Sequence, residues 1–251
     1  MSLLDSSISV QGGVSLRRIL LVCGWCGPLT LGVAFLGWLV AGVLPIPLGP
    51  QDSVVEVVEF YSSGVHVPLG IALASVGVCF AIPLVSGISY VIWRSGPSEA
   101  IFAVLQAVSG TVTAVLLLIP MLIMAVAGFR PDRDPQITLA LNDLSWLLFL
   151  TPVAPFIIQN IVIGVYVLTA NDSKFPRWLG YLNFWVGFTF TFDVLAFAFK
   201  DGPFAWNGVF IFWLALTTYS IWLAAMGLTI RKIALSETSG ELVMEDSYGH
   251  V

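Results

Sequence analysis

Long apolar runs dominate the chain, and short polar clusters rich in glycine and proline separate them. A membrane-spanning helix needs about 20 mostly apolar residues, and we count six runs of this kind. Strands of a β-barrel would be about 10 residues long and would alternate in polarity, which these runs do not. The pattern therefore predicts an all-α polytopic membrane helix bundle with six transmembrane helices. The predicted spans are Ile19–Leu44, Val67–Trp93, Ala100–Gly128, Leu144–Leu168, Leu179–Phe199 and Phe204–Ile230.

Four of the predicted spans contain proline. A proline inside a helix removes one backbone hydrogen bond and clashes with the preceding turn, so each of these helices is expected to kink. Such breaks persist in lipid only where neighbouring protein or water satisfies the freed backbone groups, which favours a packed bundle. The prolines are Pro28, Pro83, Pro120 and the pair Pro152 and Pro155.

Pairs of small residues four positions apart occur in several spans. Gly37 and Ala41 form one such pair, and Gly70 and Ala74 form another. Because small side chains let two helix backbones approach closely, these pairs predict tight contacts between helices. Packing within one chain accounts for them, and an interface in a homo-oligomer would use the same feature.

The composition excludes several classes of protein. Hydrophobic residues make up 58% of the 251 residues and charged residues only 10%, and the mean hydropathy is +0.95. Ten lysine and arginine residues oppose 15 aspartate and glutamate residues, which gives a net charge of −5. So few charges cannot coat a water-soluble domain of this size, and they exclude a soluble enzyme, a disordered chain and a nucleic-acid-binding protein. The lipid bilayer is the expected partner.

Cationic residues beside the spans predict the orientation, because cytoplasmic loops carry an excess of lysine and arginine. With the N-terminus in the cytoplasm, seven such residues lie inside and three outside, and six spans return the C-terminus to the cytoplasm. The first span is too long for the core of a signal peptide, so we expect an uncleaved anchor in the plasma membrane. The inner residues are Arg17, Arg18, Arg94, Lys174, Arg177, Arg231 and Lys232, and the outer residues are Arg130, Arg133 and Lys200.

Three regions follow from this topology. Residues 1–18 form a cytoplasmic N-terminal segment, and residues 19–232 form the transmembrane domain. Residues 233–251 are polar and acidic and are predicted to be a disordered cytoplasmic tail.

The outer loop after the first span predicts a short helix. Ser53 and Glu56 have the spacing of a capping box, and Asp52, Glu56 and Glu59 fall on one face. Valines cover the other face, which is typical of an interfacial helix across the outer mouth of the bundle. Such a helix is either an ordinary solvated loop helix or a lid over a cavity.

Acidic residues near the outer face are the main candidates for chemistry. Asp193 is predicted to lie about 9 Å inside the outer end of its span, where a charge is costly. Asp193, Asp143 and Glu59 are the candidate catalytic acids, and a protonated Asp193 would suit general acid catalysis. An ion pair between Asp193 and Lys200 is the structural alternative. The candidate substrate-binding residues are Trp146, Trp206, Asn207 and Asn142.

Other polar residues and the cysteines give weaker indications. Cys23 and Cys26 lie in apolar helix without a second cysteine pair, so we expect reduced packing residues, and we predict no metal and no cofactor. The deeper polar residues are expected to form hydrogen bonds between helices or to line a ligand cavity. They are Gln106, Ser109, Thr113, Gln159, Asn160, Thr217, Thr218 and Ser220.

Four stretches of the sequence resemble a family of uncharacterised multi-pass membrane proteins abundant in actinobacteria. The resemblance extends from Phe60 to Ile230 and implies a bacterial plasma membrane. It implies no activity and no functional residue. The four stretches are residues 128–135 (GFRPDRDP), 141–146 (LNDLSW), 175–183 (FPRWLGYLN) and 202–208 (GPFAWNG).

Three functions are consistent with these observations. The first is binding or transformation of a lipophilic small molecule at an acidic site near the extracytoplasmic face, and an enzyme of this kind needs a closed cavity with at least two acids. The second is an accessory subunit that binds the spans of a partner in a membrane complex. The third is a component of a small-solute transporter, which needs polar residues continuous through the bilayer. The sequence favours the first function.

Overall fold

The computed structural model describes residues 15–130 and 132–248, with side chains up to residue 236. In this part of the chain the regular structure is helical, with no strand. The all-α prediction is therefore confirmed. The α-helices are α1 Leu16–Ala41, α2 Val54–Ser62, α3 His66–Cys79, α4 Ala81–Trp93, α5 Ala100–Phe129, α6 Pro135–Leu150, α7 Ala154–Thr169, α8 Arg177–Thr189 and α9 Leu214–Tyr248.

Five helical segments are long and apolar enough to cross a membrane, which makes the chain a helical membrane protein. Two of them are formed by consecutive helices, α3 with α4 and α6 with α7. The segment predicted as the fifth span is not among these five. The segments are Leu16–Ala41, His66–Trp93, Pro97–Phe129, Pro135–Thr169 and Gly202–Ser236.

The predicted fifth span, Leu179–Phe199, is not a single α-helix. It consists of α8 followed by a 3₁₀ segment, Phe190–Phe197. The hydroxyls of Thr189 and Thr191 donate hydrogen bonds to carbonyl oxygens three residues earlier, at 2.8 and 2.7 Å. These bonds compete with the backbone N–H groups for the last carbonyls of α8, which favours the tighter winding.

Local sequence signals account for several helix ends. The side chain of Ser15 accepts a hydrogen bond from the N–H of Arg18 at the start of α1, and Gly42 ends that helix with φ of 75°. The capping box predicted at Ser53 and Glu56 is present at the start of α2, and the predicted short helix is confirmed, whereas its position on the outer side stays a prediction.

Prolines mark the two interruptions within the long segments. Phe80 separates α3 from α4, and Pro83 has no N–H to donate to the carbonyl of Cys79. Pro152 lies in the gap between α6 and α7. The predicted breaks therefore occur at these two sites, whereas Pro28 and Pro120 lie within the continuous helices α1 and α5.

The predicted small-residue pairs bring α1 and α3 into backbone contact. A Cβ atom on Gly37 would overlap the backbone of Gly70 and Ala74, and one on Gly70 would overlap the backbone of Ala41. The two pairs from the sequence therefore pack against each other within one chain, as helix backbones do where small residues face one another.

One end of the bundle holds α2, and we call it the α2 end. The indole N–H of Trp206 donates to the carbonyl of Leu48 at 2.8 Å, which joins the segment before α9 to the segment after α1. Gly128, near the end of α5, lies beside Tyr61 of α2. The start of the segment Gly202–Ser236, which we call the α9 segment, and the end of α5 are therefore both at the α2 end.

The opposite end holds the start of α1. The hydroxyls of Ser95 and Tyr166 form a hydrogen bond there, which joins the ends of α4 and α7. Gly180 of α8 packs against Leu168 near the end of α7. Hence α8 begins at the opposite end, and the chain returns through Phe190–Phe197 towards the α2 end, where the α9 segment starts.

Buried apolar side chains form two clusters. One includes Tyr166, Trp222 and Ile230 and lies towards the opposite end. The other includes Trp38 and Trp146 and lies towards the α2 end. The bundle thus has two packed layers along its length.

Parts of the predicted terminal regions lie outside the described residues. Residues 1–14 of the segment 1–18 and residues 249–251 of the tail 233–251 are among them. The backbone of α9 extends to Tyr248. The boundaries of the three predicted regions, and the disorder of the tail, stay predictions.

Candidate functional site

Asp193 is the most unusual side chain among the described residues. It lies in the 3₁₀ segment Phe190–Phe197 and is 0% exposed. Neither carboxyl oxygen has a hydrogen-bond partner. Buried polar groups in proteins are nearly always hydrogen-bonded, so a buried carboxyl group without a partner is exceptional.

Asp193 lines a cavity where the two apolar clusters meet. The cavity has a volume of about 100 Å³, and members of both clusters form its walls. This volume is smaller than that of a cavity of about 150 Å³ that binds a benzene ring, so the cavity has room for a very small ligand or for one part of a larger one. Its walls are Thr30, Leu31, Ala34, Phe35, Trp38, Ala74, Val78, Thr113, Leu116, Leu117, Phe149, Leu150, Pro152, Val153, Phe156, Phe190, Asp193, Phe212, Ala215, Leu216, Tyr219, Ser220 and Leu223.

Aromatic rings form two groups in the wall of the cavity. On the side of the α2 end, Trp38 stacks on Phe212 with 5.8 Å between ring centroids and meets the edge of Phe149 at 5.4 Å. On the other side, Phe156 lies 4.6 Å from Phe190 and 5.2 Å from Tyr219. Edge-to-face and stacked pairs of this kind hold each other in place. The wall is therefore built from rings that are fixed by their neighbours.

The threonine and serine hydroxyl groups of the wall bond to their own helices. Thr30 donates to the carbonyl of Cys26 at 2.8 Å, Thr113 to that of Ser109 at 2.9 Å, and Ser220 to that of Leu216 at 2.6 Å. Their protons are therefore not directed at Asp193. Of the deeper polar residues, Thr113 and Ser220 line the cavity, which is one of the two expected alternatives.

Asp143 is placed differently. It lies on α6, is half-buried and accepts a hydrogen bond of 3.5 Å from the side chain of Asn142. Lys200 is exposed, and neither carboxyl oxygen of Asp193 has a hydrogen-bond partner. The expected ion pair between Lys200 and Asp193 is therefore not formed.

The network around Asp143 continues to α2. The hydroxyl of Tyr61 donates to Asn142 Oδ1 at 3.1 Å. Burial raises the pKa of Tyr61, and the negative charge of Asp143 raises it further. The polar groups of this region thus satisfy one another at the α2 end.

Glu59 is exposed on α2 and lines no part of the cavity. Its neighbour Glu56 belongs to the capping box, where the backbone N–H and the hydroxyl of Ser53 lower the pKa of Glu56. The three candidate acids therefore do not meet in one cavity. Their catalytic roles stay predictions.

None of the four predicted substrate-binding residues lines the cavity. Trp146 is buried behind the wall, with its ring 6.4 Å from that of Trp38 and 5.9 Å from that of Phe212. Asn142 belongs to the network of Asp143, and Trp206 and Asn207 lie in the segment before α9. Their assignment to a ligand stays a prediction.

Sequence reasoning did not find most of the cavity wall. Thr30, Trp38 and Tyr219 lie in apolar runs that look like ordinary spans. A weak signal was present in the clustering of phenylalanines around Asp193, at Phe188, Phe190 and Phe192, of which Phe190 lines the cavity.

A second group of buried polar atoms lies on the other side of the cavity from the α2 end. Ser89 donates to the side-chain oxygen of Gln106, which joins α4 to α5. The amide nitrogens of Gln106 and Gln159 and the side-chain oxygen of Asn160 have no hydrogen-bond partner. These residues are part of the predicted polar layer between helices.

The cysteines are free, and both members of the Cys23–Cys26 pair are buried. In the described part of the chain, no three His, Cys, Asp or Glu side chains are grouped in a way that could hold a metal ion. Known proteins offer no match to this chain. It matches no protein-family model, no curated protein sequence and no solved structure.

Proposed function

We propose that this protein is a multi-pass membrane protein that binds a lipophilic small molecule in the cavity lined by Asp193. The observation that carries the proposal is the unpartnered carboxyl group, which is 0% exposed and lies in an otherwise apolar wall. Ligand sites of this kind are mostly apolar with a few polar groups that fix the orientation of the ligand.

The cost of burying Asp193 supports a functional role. A carboxyl group without a hydrogen-bond partner is disfavoured in apolar surroundings, whether it is ionised or protonated. No contact among the described residues offsets this unfavourable free energy, because neither oxygen is hydrogen-bonded. A ligand that donates hydrogen bonds to Asp193 would offset it on binding. An apolar residue at this position would not have the cost at all.

The cavity favours binding over chemical transformation. General acid–base catalysis usually needs a second group to accept or return the proton. Among the described residues of the wall, Asp193 is the only carboxyl group, and no histidine or lysine accompanies it. Asp143 and Glu59 lie elsewhere, so the two acids expected of an enzyme site are not both in the cavity.

We also propose six crossings of the plasma membrane with both termini in the cytoplasm. The sixth crossing would be α8 with Phe190–Phe197, which contains 13 residues of α-helix and eight of 3₁₀-helix. At rises of about 1.5 and 2.0 Å per residue, these span about 35 Å, enough for a hydrocarbon core of about 30 Å. The α2 end would face outwards, since the cation-rich loops are then inside.

Reporter fusions test this topology. A fusion after Ala234 should give a cytoplasmic signal, and a fusion after Gly128 should give an external one. An external signal at Ala234 would contradict the sixth crossing, because five crossings place the two termini on opposite sides.

Binding is tested with two fluorinated probes, 4-(trifluoromethyl)benzyl alcohol and 4-(trifluoromethyl)benzylamine. The full-length protein in phosphatidylcholine nanodiscs is titrated and followed by ¹⁹F NMR, with empty nanodiscs as the reference for partition into lipid. At least one probe should bind saturably. Ala215 lies in the cavity wall, and Ala215→Met should weaken that binding about tenfold, since it fills the cavity.

The matched control is Ala72→Met, which adds the same side chain on an exposed face of α3. It should bind the probes like the unmodified protein. Absence of saturable binding by both probes, or equal binding by the Ala215→Met variant, would overturn the proposed function.

A further inference from the structure

We infer that the ligand of this cavity is a lipophilic amine, bound as its ammonium cation by Asp193 and by the surrounding aromatic rings. This inference rests on the proposed function and adds the chemical class of the ligand. It follows from the missing counter-charge of Asp193, from the number of free acceptor positions on its carboxyl group, and from the composition of the wall.

Asp193 has no cation from the protein. Within the described residues, no lysine, arginine or histidine lines the cavity. Lys200, the nearest basic residue along the chain, is exposed and makes no hydrogen bond to Asp193. A buried carboxylate is stable only with a compensating charge and hydrogen bonds. A cationic ligand supplies the positive charge and the hydrogen-bond donors that the protein does not provide.

Both oxygens of Asp193 are free to accept hydrogen bonds. An ammonium group carries several donors and no acceptor, so one such group can bond to both oxygens. Hydrogen bonds between two charged groups are shorter and about twice as strong as those between neutral groups. An alcohol of the same shape has one donor and brings no charge.

The rest of the wall suits the other parts of a lipophilic amine. Seven residues of the wall carry aromatic rings, and Trp38, Phe190, Phe212 and Tyr219 are among them. A cation within about 6 Å of a ring centroid is attracted to the ring face, and this attraction grows when water is excluded. The remaining leucine, valine and alanine side chains can pack against a hydrocarbon body.

The two probes named above separate a cationic from a neutral ligand, since they differ only in the amine and the hydroxyl group. In nanodiscs near neutral pH, the benzylamine should bind the unmodified protein at least about tenfold more tightly than the benzyl alcohol. This comparison needs no variant. Equal affinity for the two probes, or tighter binding of the alcohol, would overturn the inference and leave the proposed function standing. If neither probe binds, the proposed function itself fails.

Asp193→Asn tests whether the carboxyl group is responsible. This variant should lose about tenfold or more in affinity for the amine and change little in affinity for the alcohol. Alcohol binding by the variant also shows that the cavity has folded. The matched control is Asp143→Asn, which removes an acid outside the cavity and should keep the affinity for the amine. Unchanged amine binding by Asp193→Asn would overturn the inference.

Discussion

Asp143 and Asp193 are two acids in the same half of the bundle, and they have opposite surroundings. Asp143 is half-buried and accepts a hydrogen bond from Asn142, which in turn accepts one from Tyr61. Asp193 is 0% exposed and has no partner for either oxygen. Asp143 therefore belongs to a polar network in which each member satisfies another, whereas Asp193 is an isolated acceptor in an apolar wall.

The presence or absence of hydrogen-bond donors from the protein distinguishes a structural acid from a functional one in a membrane protein. A structural acid is matched by donors from the protein, because an unpaired group lowers stability. An acid that the protein leaves unmatched lowers stability unless something else binds to it. This reasoning predicts opposite changes in stability when the two regions are made apolar.

The largest effect is expected in the network of Asp143. Tyr61 is 4% exposed, and its hydroxyl donates to Asn142 Oδ1 at 3.1 Å. Asn142→Leu removes this acceptor. A buried hydroxyl without a partner costs about 1–3 kcal/mol, so we expect a loss of about 2–3 kcal/mol in the free energy of unfolding. Thermal melting of the purified protein in nanodiscs measures it.

Asn171 provides the control, because its side chain is exposed in the loop between α7 and α8. Asn171→Leu should leave the melting temperature nearly unchanged. A melting temperature of Asn142→Leu equal to that of this control would show that the network adds no stability.

A smaller effect of opposite sign is expected at Asp193. Asp193→Leu replaces an unpartnered acid by an apolar side chain beside a cavity that has room for it. Removal of a buried polar group without partners should stabilise the ligand-free protein by about 1–2 kcal/mol. A rise in the melting temperature in the same nanodiscs is the expected result. A clear fall would show that Asp193 has a stabilising partner and would remove the contrast with Asp143.

The sequence predicted the spans better than the site, for a physical reason. Lipid requires long apolar helices, so four of the structure's five spanning segments lie close to apolar runs that are visible in the sequence, and Pro135–Thr169 extends the predicted Leu144–Leu168 at its start. The contact of α1 with α3 was also predictable, because pairs of small residues four positions apart, such as those that begin at Gly37 and Gly70, let helix backbones approach closely. These features depend on local sequence.

The cavity depends on contacts between distant segments, which local patterns do not specify. Its wall combines residues from α1, α3, α5, α6, α7, α9 and the segments around Asp193 and Phe212. The missing partner of Asp193 was not predictable from α-helical spacing. The seven residues from Asp193 to Lys200 would turn an α-helix by about 700°, which would align the two side chains. In the structure the 3₁₀ segment ends at Phe197, so Lys200 lies beyond the helical turns that position Asp193.

The smallest effect is expected at Glu56, an acid that is fully exposed but hydrogen-bonded. The N–H of Ser53 donates to Glu56 Oε2 at 2.7 Å, and the N–H of Glu56 donates to Ser53 Oγ at 3.3 Å. These interactions of Ser53 lower the pKa of Glu56 in the folded protein. Its contribution to α2 is therefore complete above the ordinary glutamate pKa of about 4.3 and is lost as the pH falls through the lowered value. Hydrogen-exchange protection of residues 54–62 should decrease in that range once intrinsic exchange rates are taken into account.

Glu56→Gln keeps the capping geometry and removes the titrating group, so the protection of α2 in this variant should no longer decrease over that pH range. Glu59→Gln, on the same helix but outside the capping box, should behave like the unmodified protein. If acid lowers protection equally in the Glu56→Gln variant, the loss comes from another group and the capping box does not control the stability of α2.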